Sequence, residues 1–195
     1  MNFRLALFGL LLSVNISANP ANDLDSLKNG LQFFQYKKID VTLTQFQYGE
    51  WYNSTISISF IDTTRYLVIS NDQDIFVSGD LIKTWNKKSN QLIIDRRLDD
   101  EGDVFALLTG NLKGLSLQDK RNENGFISFG FLIQDFGLKG TLKVDKSNWH
   151  LRQIKIEYDH DNWLQLKIDK WQFLTENISF DEFGKNAEEV IDFNE

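Results

Sequence analysis

The sequence predicts a mainly β protein built on one large antiparallel sheet with only two or three short helices. Three observations carry this. From residue 41 onward, apolar residues recur with period two in about ten or eleven short runs. The runs follow one another in meander order instead of alternating with helices. Tight-turn signals such as Asp145-Lys-Ser-Asn148 and Asp159-His-Asp-Asn162 join them.

The first residues form a targeting segment. Met-Asn-Phe-Arg precedes an apolar run from Leu5 to Leu12, which is too short to span a bilayer, and Ile16-Ser17-Ala18 supplies a small-residue cleavage site. Residues 1–18 are therefore expected to be a signal peptide, with residues 19–195 as a single exported domain. Asp23 to Gln35 places Leu24, Leu27, Leu31 and Phe34 at helical spacing, with Asp23 as the expected N-cap. Strands are predicted at Val41–Phe46, Ile56–Phe60, Tyr66–Ser70, Ile75–Val77, Leu81–Trp85 and Gln91–Arg96, the last two joined by a turn at 86–90. Asp103 to Leu112 interrupts them as a short amphipathic helix bearing Phe105 and Leu108. Strands resume at Gly114–Gln118, Phe126–Gln134, Leu138–Asp145, Leu151–Tyr158 and Asn162–Phe173. A last short strand at Asn177–Phe183 precedes an acidic tail.

Composition excludes several kinds of function. Lys and Arg number 21 against 28 Asp and Glu, a net charge of −7, so no basic excess exists to displace counterions from nucleic acid. There is no cysteine, which removes disulfides, thiol catalysis and a lipidated anchor. No G-x-S-x-G, Walker loop, H-E-x-x-H or dinucleotide fingerprint occurs. His160 sits between two aspartates in a turn that collects such residues for backbone reasons, and His150 reads as a surface residue at a strand start. Asp99 to Asp103 lacks the spacing of a calcium loop and reads as a solvated helix start. The expectation is a non-enzyme with no metal and no cofactor.

The informative feature is apolar surplus. The chain holds 16 Phe and 5 Trp, and few helices are available to cover a sheet of this size. A large sheet curls, and an uncovered apolar face is a ligand cavity. Matching strand faces place Ile56, Ile58, Phe60, Trp85, Leu164, Leu166 and Ile168 on that cavity, with Leu27, Leu31, Phe105 and Leu108 on the helices above it. Trp171 and Phe173 point away from Leu164, Leu166 and Ile168 unless a bulge intervenes.

The order of signals resembles the LolA family of periplasmic lipoprotein carriers across almost the whole exported chain. Thr44-Gln45-Phe46 is similar to the family's F-x-Q strand. Val77-Ser-Gly-Asp80 followed by Thr84-Trp85-Asn86 is similar to V-S-D-G-x-x-x-W-x-Y. Val104-Phe-Ala-Leu-Leu-Thr-Gly110 stands where the family has P-x-x-L-L, and Ile178-Ser-Phe180 resembles its closing F-x-F. The chain departs from the family at its R-P dipeptide, where Ile61-Asp-Thr-Thr-Arg65 stands, and at its F-x-F-x-P-P end. The resemblance implies an incompletely closed antiparallel β-barrel of about eleven strands, lidded by helices. It implies a monomer in the periplasm that takes acylated lipoproteins from an inner-membrane release complex to an outer-membrane acceptor. A carrier for another lipid or glycolipid, or a lipid-sensing regulator, uses the same fold; related regulators carry an additional domain, for which this length leaves no room.

Energetics favour a weak grip. Roughly forty methylenes from three acyl chains, at about 0.8 kcal/mol each, exceed 30 kcal/mol. Non-covalent affinity saturates at roughly 18–21 kcal/mol, so a carrier that releases its cargo buries only part of those chains or spends binding energy opening a lid. The family's lid is latched by the arginine of the R-P dipeptide. Here the nearest basic residue, Arg65, is offset to the opposite strand face and is expected to be solvated, leaving the lid held by apolar packing.

Overall fold

The structure, a computed structural model, describes residues 20–62, 64–96, 107–110, 112–134, 137–175 and 179–193. The predicted signal peptide, Phe105 and the Asp99–Asp103 cluster lie outside them. Helix α1 (Pro20–Gln32) is followed by β1 (Lys37–Gln47), β2 (Glu50–Phe60), β3 (Arg65–Ile69), β4 (Gln73–Ser78), β5 (Leu81–Asn86) and β6 (Gln91–Arg96). Then come β7 (Leu115–Asn122), β8 (Phe126–Ile133), β9 (Leu138–Asp145), β10 (Leu151–Glu157), β11 (Trp163–Phe173) and β12 (Glu189–Asp192). All twelve strands form one sheet in the order β12-β6-β5-β4-β3-β2-β1-β11-β10-β9-β8-β7, and among the described residues it does not close. Two meanders, β1–β6 and β7–β11, join through the long antiparallel pairing of β1 with β11.

One face of this sheet is lidded. Ile39 and Val41 of β1 stand opposite Ile58 and Ile56 of β2, and Phe60 and Ile58 stand opposite Tyr66 and Val68 of β3. On the other side, Val41 and Leu43 face Ile168 and Leu166 of β11, and Leu166 faces Ile154 of β10. These residues form a single buried core with Phe129 and Phe131 of β8, Leu142 and Val144 of β9, and Leu27, Leu31 and Phe34 from α1 and the turn after it. Period-two alternation along the strands and a helical stripe on α1 thus meet in one layer.

Helix α1 begins at Pro20, where a missing N–H costs nothing, so Asp23 is not the N-cap expected from the sequence. It lies inside the first turn, buried, and its carboxylate accepts from Lys120 Nζ of β7 at 2.7 and 3.0 Å. The described part of the second predicted helix is a short turn at Leu107 and Leu108, which also enters the core.

The chain's end differs from expectation. No strand forms over 179–183; the last strand is β12, within the predicted acidic tail, and it pairs parallel with β6. Ahead of it, Phe180 and Phe183 pack edge-on against Phe76 at centroid distances of 5.0 and 5.6 Å. Phe76 belongs to the outer face, since it lies between Ile75 and Val77, which face the main core. Gly184, at φ +71, allows this segment to close down, because a Cβ there would stand 2.6 Å from Leu92 Cδ1. The tail therefore builds a second small apolar cluster on the outer face and covers the β6 edge.

Candidate functional site

The lidded face brings together most of the residues predicted to line a cavity. Ile56, Ile58, Phe60, Leu166 and Ile168 share one core with Leu27, Leu31 and Leu108, each at most 6% exposed, and Leu164 packs half-buried against it. In this state α1 covers these side chains, so an incoming chain that is to reach them from that side must displace α1.

Trp85 does not join them. It pairs with Asp74 and Leu92, which share the outer face with Phe76, and its indole N–H donates to Asn90 Oδ1 at 3.1 Å. Trp85 faces outward because Ile82 and Thr84 are the β5 residues paired with inner-face Val77 and Ile75. Ile75 and Ile82 lie half-buried against the main core. They were not anticipated, although their alternation with Phe76 and Lys83 is readable once the register is known.

A bulge alters the other end. β1 pairs Asp40 with Lys170 but Val41 with Ile168, so Asp169 is the extra residue and the side-chain alternation of β11 shifts by one. Trp171 and Phe173 are thereby turned to the same face as Leu164, Leu166 and Ile168. Trp171 sits edge-on to Phe33, 4.8 Å between centroids, and remains partly exposed with Phe173 at the rim.

Three contacts fix α1. The Asp23–Lys120 ion pair holds its first turn to β7. Gly30 lets it press against the Trp149 backbone. Beyond its last turn, Phe33 stacks on His150 at 3.5 Å between centroids, and the Phe33 carbonyl accepts from Lys37 Nζ. His150 is therefore a packing residue and not the surface residue expected. Burial of its ring, more than the charges of Asp145, Arg152 and Lys37, holds its pKa below the ordinary value.

Arg65 takes no part in this. It is half-exposed, pairs with Ser78 on the outer face, and its Nε donates to Asp62 Oδ2 at 2.6 Å. Burial would raise the pKa of Asp62, but hydrogen bonds from Thr64 and Arg65 outweigh it and hold the carboxyl below its usual range. The Asp62–Arg65 pair closes its own turn and, among the described residues, makes no hydrogen bond or ion pair to α1 or to residues 107–110.

Two depressions open elsewhere. One of about 330 Å³ lies over outer-face residues of β7–β10, including Ser128, Thr141 and Lys143. The other, about 560 Å³, lies between the β1–β2 and β10–β11 hairpins, where His160 is exposed and paired with Asp161. The first is lined mainly by polar and charged residues of that face, with Phe129 and Leu142 at its floor, and the second by Phe46, Tyr48 and the 159–162 turn. Among the described residues, no three His, Cys, Asp or Glu side chains converge on a common point.

The architecture matches a solved structure, an uncharacterised conserved protein from Thermus thermophilus. The TM-score is 0.54 at 11% identity, over 89% of this chain and 99% of that one. The structural neighbours of this chain include a LolA-superfamily protein. That is NE2245 from Nitrosomonas europaea, with a TM-score of 0.48 and 10% identity over 86% of this chain and 98% of that one. A Vibrio parahaemolyticus domain described as an outer membrane lipoprotein-sorting protein aligns at 0.47 and 10% identity, over 85% and 95%. No family model and no curated protein matches the sequence.

Proposed function

We propose that this chain is a periplasmic carrier that binds the acyl chains of lipoproteins beneath α1 and moves them from the inner to the outer membrane. The observation that carries the reading is a broad apolar sheet face closed, among the described residues, chiefly by one thirteen-residue helix. The order of LolA-like motifs along the sequence supports it.

Magnitudes decide whether such a lid can open. Lifting α1 exposes Leu27, Leu31 and Phe34, at roughly 1.5–3 kcal/mol each, or about 5–9 kcal/mol together. That figure is an upper bound, since the lifted helix keeps some contacts. A single acyl chain burying about fourteen methylenes contributes roughly 11 kcal/mol. One chain is enough to offset opening, and the remainder leaves a grip weak enough for release.

On this reading the protein is not an enzyme and needs no cofactor. It works as a monomer between an inner-membrane release complex and an outer-membrane acceptor. A carrier for another lipid or glycolipid would use the same face and differ only in cargo.

The test is native mass spectrometry of protein purified from the periplasm, followed by lipid extraction. The expected result is an N-terminus at Asn19 and a co-purifying acylated species. Bare protein that also fails to take up a fluorescent fatty acid would overturn the carrier reading, and retention of Met1 in a membrane fraction would overturn export.

A further inference from the structure

Lys37 is the most buried lysine among the described residues, 8% exposed, and it points to the lidded face. Its register fixes that direction: it stands opposite Phe60 of β2 and Phe173 of β11, two residues before Ile39. Its ammonium lies 4.1 Å from the Phe33 ring centre, 5.0 Å from Phe173 and 5.8 Å from Trp171. Of its three N–H donors, one is spent on the Phe33 carbonyl.

What it lacks is a carboxylate. Three partly buried lysines have one: Lys87 with Asp74 at 2.7 Å, Lys120 with Asp23 at 2.7 Å, and Lys155 with Glu157 at 3.1 Å. Lys83, whose ammonium donates to the Phe180 carbonyl over the Phe180 ring, has none among the described residues either, but it lies on the outer face and is less buried than Lys37. No carboxylate among the described residues lies within ion-pair distance of Lys37. A lysine on a strand ordinarily extends its ammonium into water. Here it is held at the rim of the apolar core, between the buried Phe60 and the exposed edge of Phe173.

We propose that Lys37 is the headgroup site of the lidded face, pairing with the carboxylate or phosphate of an anionic amphiphile whose chain runs inward past Phe60 and Ile39. This rests on the acyl-binding reading of that face. The geometry supplies both halves of such a ligand's needs, a desolvated cation at the lip and apolar side chains directly behind it. The rings of Phe33, Trp171 and Phe173 keep water from the ammonium, so an anion there would meet a poorly screened charge. Burial already holds the pKa of Lys37 below the ordinary lysine value, a penalty on the charged form that a bound anion would remove.

The experiment compares four ligands of equal chain length below their micelle concentrations: dodecanoate, dodecyl phosphate, dodecanol and dodecyltrimethylammonium. Binding to the full exported chain is read by isothermal titration. The expected result is that one or both anions bind about tenfold more tightly than dodecanol, with the cation weakest. Which anion leads separates a fatty-acid source from a phospholipid source. Lys37→Met should bring the anions to within about twofold of dodecanol while dodecanol affinity holds, and Lys37→Arg should keep the preference. Equal binding of dodecanol and the anions by the unaltered protein overturns the proposal without needing either variant to fold. An anion preference that survives in Lys37→Met overturns it as well. If none of the four binds, the acyl-binding reading itself falls.

Discussion

Gly30 of α1 lies so close to Trp149 that a Cβ at position 30 would collide with the Trp149 carbonyl oxygen and stand 2.7 Å from its carbonyl carbon. The Trp149 backbone is itself constrained, at φ 62, and its ring stacks on Phe129 at 5.7 Å. Neither partner can yield by rotating a side chain. Alanine in a helix interior is favoured over glycine by about 0.8–1 kcal/mol, but here the contact outweighs propensity. Gly30→Ala is expected to lower Tm by several degrees and to speed amide exchange over residues 24–32. A raised Tm would mean that α1 stands off the β9–β10 turn.

At the other end of the helix, Lys120 ties Asp23 down while standing 5.6 Å from the Trp149 ring centre. Removing the cation leaves a nearly buried carboxylate without its partner. Lys120→Ala should cost roughly 1–3 kcal/mol in urea unfolding. It should also accelerate exchange in the first turn of α1 more than in its last. Uniform acceleration along the helix would place the hinge elsewhere.

His150 gives the lid a pH dependence of definite sign. Its folded pKa lies below its ordinary 6.5 because its ring is buried against Phe33. The unfolded chain therefore binds more protons as pH falls through that value. The contribution is fully present above about pH 6.5 and is lost as pH drops toward the folded pKa. Replacing the ring with phenylalanine, His150→Phe, should flatten the Tm-versus-pH curve below pH 6.5. An unchanged slope would assign it to carboxylates held below their usual range, such as Asp62 and Asp40.

Half-buried and fully buried residues of the same face should separate stability from binding. Leu166, 1% exposed between Leu43 and Ile154, should lose about 2–5 kcal/mol of stability as Leu166→Ala. Ile82 lies only partly buried against the core, so Ile82→Ser should cost little stability. It should weaken uptake of a fluorescent fatty acid several-fold. Full uptake by that variant would confine the acyl site to the β1–β2 and β10–β11 side.

The tail is expected to act as an edge guard. Deleting residues 179–193 exposes Phe76 and leaves β6 without its parallel partner β12. An open edge beside an uncovered apolar cluster favours pairing with another chain. Sedimentation should show concentration-dependent dimers for the truncated chain and none for the full one. A strictly monomeric truncation would mean that β6 is protected by its own twist.

Most of the strands, their meander order and part of the inner face were set by the sequence, because period-two alternation is a local property that survives in any antiparallel arrangement. Ile56, Ile58, Phe60, Leu166 and Ile168 needed only that rule, and Leu27 with Leu31 needed only helical spacing. Tertiary structure alone decided what depends on register and on distant segments. The extra residue Asp169 turned Trp171 and Phe173 inward, and pairing with β4 turned Trp85 outward, since a one-residue shift exchanges the faces of a strand. Phe180 and Phe183 read as part of a last strand from the sequence, and only the outer-face position of Phe76 gives them their place to pack instead. Lys37 shares the alternation of Ile39 and Val41, so its inward direction was legible. That its ammonium would be ringed by Phe33, Trp171 and Phe173 without a carboxylate was not, because those rings come from 4 to 136 residues away along the chain and meet only when α1 closes over the sheet.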